Sequence, residues 1–147
     1  MSLNLLLGLS TMGLCLFLQS LLILVAIRYY SRRARLVGDR SYLHSLIVIN
    51  GVMVLMVIGN LVQVGIWAVL FQLLGEFEQF DNAYYHAMVN FSTLGYGDIV
   101  MSEAHRLLGP LQAINGVLMI GVSTAILMAT FQDAVKKTIK AREQEHK

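Results

Sequence analysis

Three long apolar runs dominate the chain: Leu3–Ile27, Leu43–Leu74 and about Leu107–Phe131. Each reaches the roughly 20 residues that a helix needs to cross a bilayer, so three transmembrane helices are expected. The second is longer than a flat crossing requires. At 1.5 Å per residue, His44 to Leu74 covers roughly 45 Å and must tilt or project beyond the hydrocarbon. After it the pattern changes. Gly75 is expected to end the second helix, and Glu76–Asn82 is acidic and polar. Asp81 or Asn82 is a candidate N-cap for a short helix from Ala83 to Ser92. At ten residues that helix is too short to span. A half-helix followed at once by glycines and then by a full span describes a re-entrant loop. Its C-terminal end, with partial negative charge, would point toward the membrane centre and favour a cation there.

Composition agrees with a membrane protein. At 147 residues the chain suits one domain. Hydrophobic residues make up 56% of it and the mean hydropathy is +0.65, too little polar material to clothe a soluble globule. The single cysteine, Cys15, lies inside the first run, so no intrachain disulfide can form, and it is expected to act as a small apolar residue. Charge is sorted along the chain. Arg28, Arg32, Arg33, Arg35 and Arg40 follow the first run, and Lys136, Lys137, Lys140, Arg142 and Lys147 follow the third; only Arg106 lies elsewhere. Glu76, Glu78, Asp81, Asp98 and Glu103 sit between the second and third runs. Because positive charge stays cytoplasmic, a multi-pass cell-membrane protein follows, with N-terminus outside, basic loop inside, acidic segment outside and C-terminus inside.

The first run lacks the positive n-region and cleavage site of a secretory signal and ends in Arg28-Tyr29-Tyr30, an interfacial anchor. It reads as a retained helix that docks on the second span. The first run carries no arginine at three-residue spacing, so no voltage sensor built on gating charges is visible. Gly38-Asp39 marks a turn. Arg28, Arg32, Arg33 and Arg35 suit anionic lipid, although the same charge also serves topology alone. Asn50, Asn60 and Gln63 are costly against lipid and should bond between helices, while Gly51, Gly59 and Gly65 allow close approach. Trp67 is expected near the outer interface.

The run Thr93-Leu94-Gly95-Tyr96-Gly97-Asp98 follows the half-helix. Non-helical backbone at membrane depth is tolerated only where protein covers it or where it lines a cavity. A strand whose carbonyls all point to one side can replace the hydration shell of a cation, and glycine adopts the required positive φ cheaply. Gly95 and Gly97 are therefore the expected flip points. Thr93 can add its hydroxyl, and Tyr96 can pack outward. One chain supplies one wall, so closure needs several copies.

These six residues match the Thr-x-Gly-Tyr-Gly-Asp selectivity filter of potassium channels. From about Leu43 to Phe131 the chain resembles the helix–pore loop–helix module of that family, with one extra N-terminal helix. The resemblance implies an all-α membrane protein with three transmembrane helices, a re-entrant pore helix and a filter, assembled as a homotetramer. It divides the chain into an extra helix (1–28), a basic cytoplasmic loop (29–42), a pore domain (43–131) and a short tail (132–147). Within the pore domain it implies an outer helix at 43–74, a pore helix at 82–92, the filter at 93–98 and an inner helix at 106–131. The implied function is passive, selective conduction of dehydrated K+ by Thr93, Leu94, Gly95 and Tyr96, with Gly97 closing the strand. Asp98 would sit at the outer mouth, held by Tyr85 where relatives use tryptophan. Gly116 falls at the gating-hinge position and Gly121 at a second small position. Val117 or Ile120, then Thr124 and Met128, would line the cavity.

Two departures stand out. Leu94 replaces the commoner Val or Ile, and Val89 stands where some bacterial channels carry a glutamate. His86 and His105, near the outer mouth, are expected to be satisfied or solvent-facing. No His, Cys and carboxylate spacing suggests a metal set beyond permeant K+, and no cofactor or nucleic acid is expected. No nucleophile–base constellation or phosphate loop points to an enzyme. The alternatives are a weakly selective cation channel, or a non-conducting accessory subunit of a larger transport assembly.

Overall fold

The computed structural model describes residues 2–37 and 42–143, with side chains over 2–33 and 45–140. The Gly38-Asp39 turn and the side chains of Arg35, Arg40, Arg142 and Lys147 lie outside that range. Four helices make up the described fold: α1 (Ser2–Val37), α2 (Tyr42–Leu73), α3 (Phe80–Phe91) and α4 (Leu108–Glu143). The described residues form no strand, and the fold is all-α as expected. Ser2–Arg33, Ser45–Leu73 and Leu108–Lys140 are long and apolar enough to cross a membrane.

Helix ends depart from the apolar boundaries for physical reasons. The segment expected as a loop from residue 29 instead continues α1 to Val37, whereas the tail, expected to be a helix-prone extension, does continue α4 from 132 to Glu143. Arginine, lysine, glutamine and alanine there are good helix formers, and neither stretch contains a glycine or proline to interrupt it. α4 begins at Leu108 rather than 106. Pro110 falls in its first turn, where the missing N–H has no intrahelical acceptor to lose. α3 starts at Phe80, so neither Asp81 nor Asn82 is its N-cap. The cap is Gln79, in extended conformation and without a side-chain capping bond, while Asp81 lies in the first turn, where the helix dipole favours it. Gly75 does end α2. At φ +75° it donates to the Gln72 carbonyl at 3.0 Å while Glu76 N donates to Phe71 O at 3.1 Å, the paired bonds of a Schellman motif.

The chain divides into two compact units. The first comprises Met1–Gln19 and Gly59–Gly121. Its core joins Cys15, Trp67, Phe71, Ala83, Ala87, Phe91, Leu108 and Met119. Trp67 is fully buried there, its ring 5.9 Å from Phe71, which corrects the expected interfacial position. Its large apolar area is worth more in this core than at the interface. Asn4, Gly8, Cys15 and Gln19 recur on one buried face of α1. Gly8 admits Leu108 and Leu111, and Gln63 Nε2 donates to Gln19 Oε1 at 2.7 Å in a buried pair. Gln63 thus makes the interhelical bond expected of it. Gln112 Nε2 donates to the Ala87 carbonyl at 3.0 Å.

The second unit comprises Ser20–Ile58 and Val122–Lys147. Ala26, Val52 and Met56 form one apolar cluster, and Val48 with Ala134 forms another. Tyr29 occupies the space left by Gly51, whose Cβ would overlap the phenol ring. Tyr30 Oη donates to Asp133 Oδ2 at 2.7 Å, and Lys137 Nζ pairs with the same oxygen at 2.6 Å.

Candidate functional site

α3 and the segment after it form one hydrogen-bonded piece. Thr93 N donates to Asn90 O at 2.9 Å and Leu94 N to Val89 O at 3.0 Å, which again is the Schellman pairing. Ser92 Oγ also donates to Met88 O at 2.9 Å. The C-terminal carbonyls of α3 are therefore answered by the very residues that begin the Thr93–Asp98 run. The Schellman position with positive φ, usually glycine, is held by Thr93 at +60°. Gly95 at +63° and Gly97 at +72° follow it, while Leu94 and Tyr96 keep negative φ. In an ordinary strand successive carbonyls point to opposite sides. Inverting φ at every second residue turns alternate peptide planes, so the carbonyls can align on one side. Both flips expected from the glycines are present, and Thr93 adds a third that the sequence did not announce.

The Asp98 end of this run is braced from α3. Tyr85 Oη donates to Asp98 Oδ2 at 2.7 Å. That bond, with those from the Asp98 and Ile99 backbone N–H groups, outweighs slight desolvation and holds the Asp98 carboxyl below its ordinary value. The Tyr85 hydroxyl is pushed up in turn, chiefly by the same bond. One residue along α3, His86 is buried between Phe71 and Phe77, with ring centroids at 5.7 and 5.1 Å. Its Nδ1 lies 2.9 Å from the Ile99 carbonyl and its Nε2 lies 2.8 Å from Asn90 Nδ2. A carbonyl can only accept, so Nδ1 carries the hydrogen and Nε2 accepts from the amide. Burial lowers the pKa of His86, and the Ile99 bond, Asp98 and Glu76 only partly oppose this. His86 is thus a satisfied, neutral imidazole. Val89 is buried, and its carbonyl accepts from Leu94 N at 3.0 Å.

The segment from Ile99 to α4 is tied down by side chains of other elements. Glu76 accepts from Ser102 N and Ser102 Oγ, both at 2.6 Å, and from His105 Nδ1 at 2.5 Å. Burial pushes its carboxyl up, but these three donors outweigh that and hold it below the ordinary value. From α1, Asn4 Nδ2 donates to Ala104 O at 2.5 Å. Beside the run, an open recess of about 400 Å³ is lined by His86, Asn90, Thr93, Gly95, Arg106 and Pro110, among others.

The remaining sequence-predicted residues scatter. Gly116 meets the end of α3 so closely that a Cβ would overlap the Phe91 carbonyl, whereas Gly121 has open space around it. Val117 and Ile120 are exposed in the first unit, and Thr124 and Met128 are exposed in the second. Arg28, Arg32 and Arg33 are exposed in the second unit, with the Arg33 guanidinium over the Tyr29 ring. Sequence reasoning missed Asn90, Glu76, Ser102 and Asn4. The first had a signal, since Asn90 stands four residues after His86 on a helix. The others bond across distances in sequence that no local pattern reveals.

A family model described as an ion channel matches residues 59–133, just over half of the chain. The chain belongs to the ion-channel family. No curated protein and no solved structure matches it. With its three long apolar helices, this ion channel is a multi-pass membrane protein. The matched segment contains α3, the Thr93–Asp98 run and most of α4, but not α1.

Proposed function

We propose that this channel conducts K+ passively and selectively through a filter formed by Thr93–Gly97 in four copies of the chain. The observation that carries the reading is the alternation of backbone sign at Thr93, Gly95 and Gly97. It supports a column of carbonyls from Thr93, Leu94, Gly95 and Tyr96, with the Thr93 hydroxyl below, that replaces the ion's water. Gly97 ends the column. Asp98, exposed and kept anionic by Tyr85, concentrates cations at the outer mouth. Leu94, Tyr96, Val117, Ile120 and Met128 are large apolar or aromatic groups exposed on a single chain, as a ring of copies around one axis requires.

α1 is then an extra helix beside a pore domain over residues 43–131, with α3 as pore helix and α4 as inner helix. Val117 or Ile120, Thr124 and Met128 line the cavity. Of the two hinge glycines, Gly121 has room to bend, whereas Gly116 is held against Phe91. The charge pattern supports an N-terminus outside and a C-terminus in the cytoplasm. The basic cluster of Arg28, Arg32, Arg33 and Arg35 suits anionic lipid on the inner side.

Reconstitution into liposomes tests the proposal. Barium-sensitive K+ flux is expected, with a bi-ionic reversal potential that strongly favours K+ over Na+. A reversal potential near zero would move the reading to a weakly selective cation channel. No flux under any gating condition, together with obligate co-purification of a larger partner, would move it to an accessory subunit.

A further inference from the structure

We propose that Asn4 is a positioning residue for the conducting segment, so that α1 is a working part of the pore. Asn4 lies outside the region matched to the ion-channel family, yet its amide holds the carbonyl of Ala104 inside that region. Ala104 belongs to the segment that joins Asp98 to α4, which forms turns but no helix or strand. Such a segment keeps its shape only through the groups that satisfy its backbone. Glu76 takes the N–H of Ser102, and Asn4 takes the carbonyl of Ala104. The register that brings Asn4 there is set lower on the same face of α1. Gly8 seats there against Leu108 and Leu111. Asn4 is itself buried, so its amide is committed to this contact rather than exchanged with water. Loss of the bond frees the Ala104 carbonyl and loosens the chain that sets the height of Asp98 and the carbonyls before it. The inference rests on conduction through Thr93–Asp98.

The test uses the full chain in lipid, as wild type, Asn4→Leu and Gln19→Leu. Asn4→Leu keeps the branched four-heavy-atom shape and removes the donor. Hydrogen exchange at the Ser102, His105 and Leu108 amides, all bonded in the native turn, is expected to quicken about fivefold, as for one lost hydrogen bond of ordinary net strength. The K+ current should also decline faster during sustained conduction, and raised external K+ should slow that decline by occupying and stabilising the intact filter. Gln19→Leu should lower thermal stability while leaving both the exchange and the decline unchanged. Should Asn4→Leu fail to assemble, Asn4→Ser, whose hydroxyl is too short to reach Ala104, must give the same two changes. Unchanged exchange in the Asn4 variants, or faster exchange with unaltered conduction, overturns the inference while the channel reading stands. A wild-type chain that carries no K+ overturns that reading and the inference together.

Discussion

Thr93 takes a left-handed backbone conformation that β-branched residues ordinarily avoid, at a cost of roughly 1–2 kcal/mol. Its neighbours over-determine the geometry, because its own N–H and that of Leu94 close the last turn of α3. Strain of this kind gathers at working positions. Thr93→Gly should therefore raise thermal stability by about 1 kcal/mol. The same change removes the hydroxyl proposed to face the ion and should depress K+ flux. A paired melting and flux measurement checks both halves, and a variant that gains stability with full conduction would show the hydroxyl to be dispensable. Gly95 and Gly97 were legible as flips because glycine advertises positive φ. Thr93 was not, since its conformation comes from a helix-capping pattern that normally announces itself with glycine. Tyr85 and Asp98 were legible as partners only through the resemblance; nothing in their spacing alone selects one hydroxyl and one carboxylate.

At the scale of elements, the contact between α4 and the end of α3 turns on the absence of one side chain. A methyl at Gly116 would meet the Phe91 carbonyl, so Gly116→Ala should destabilise the protein by about 1–3 kcal/mol. Gly121→Ala meets nothing and gains helix propensity, so it should lie within about 0.5 kcal/mol of wild type or slightly above it. Thermal denaturation of the two variants in one lipid mixture separates them; equal losses would contradict the packing described. The helices themselves were plain in the sequence, because runs of apolar residues of membrane length have few other fates. Their ends were not. Polar residues after the first and third runs are as helix-prone as those before, and hydropathy records lipid rather than backbone conformation. The start of α3 is hidden for a related reason, since Gln79 begins the helix without a capping side-chain bond.

For the molecule as a whole, three acid-titrating groups around the Thr93–Asp98 run, Asp98, Glu76 and His86, shift in one direction. Asp98 and Glu76 have depressed pKa values, so the stability they add is complete above the ordinary carboxylate range and is lost as pH falls through their folded values. His86 is depressed as well. The unfolded chain takes up its proton near 6.5 while the folded chain resists, and stability declines as pH falls from there. Acidification should thus weaken the fold in two stages, one below about pH 6.5 and a steeper one below about pH 4.5. Melting temperature measured against pH checks this, and His86→Gln should flatten the first stage alone. A profile without the upper stage would mean that His86 is charged in the native state. None of this could be read from the sequence, because it depends on Glu76, His86 and Asp98 being brought near the same few backbone groups.

The bond between Asn4 and Ala104 also has a history within each molecule's synthesis. The two residues lie 100 positions apart, and Gln19 and Gln63 lie 44 apart. At roughly 5–20 residues per second, α1 enters the bilayer about 5–20 s before the carbonyl that Asn4 needs has been made. Asn4 thus waits longer for its partner than Gln19 does. Each nascent chain passes through an interval in which a quality-control protease could recognise an amide without a partner, and completion of the segment after Asp98 closes it.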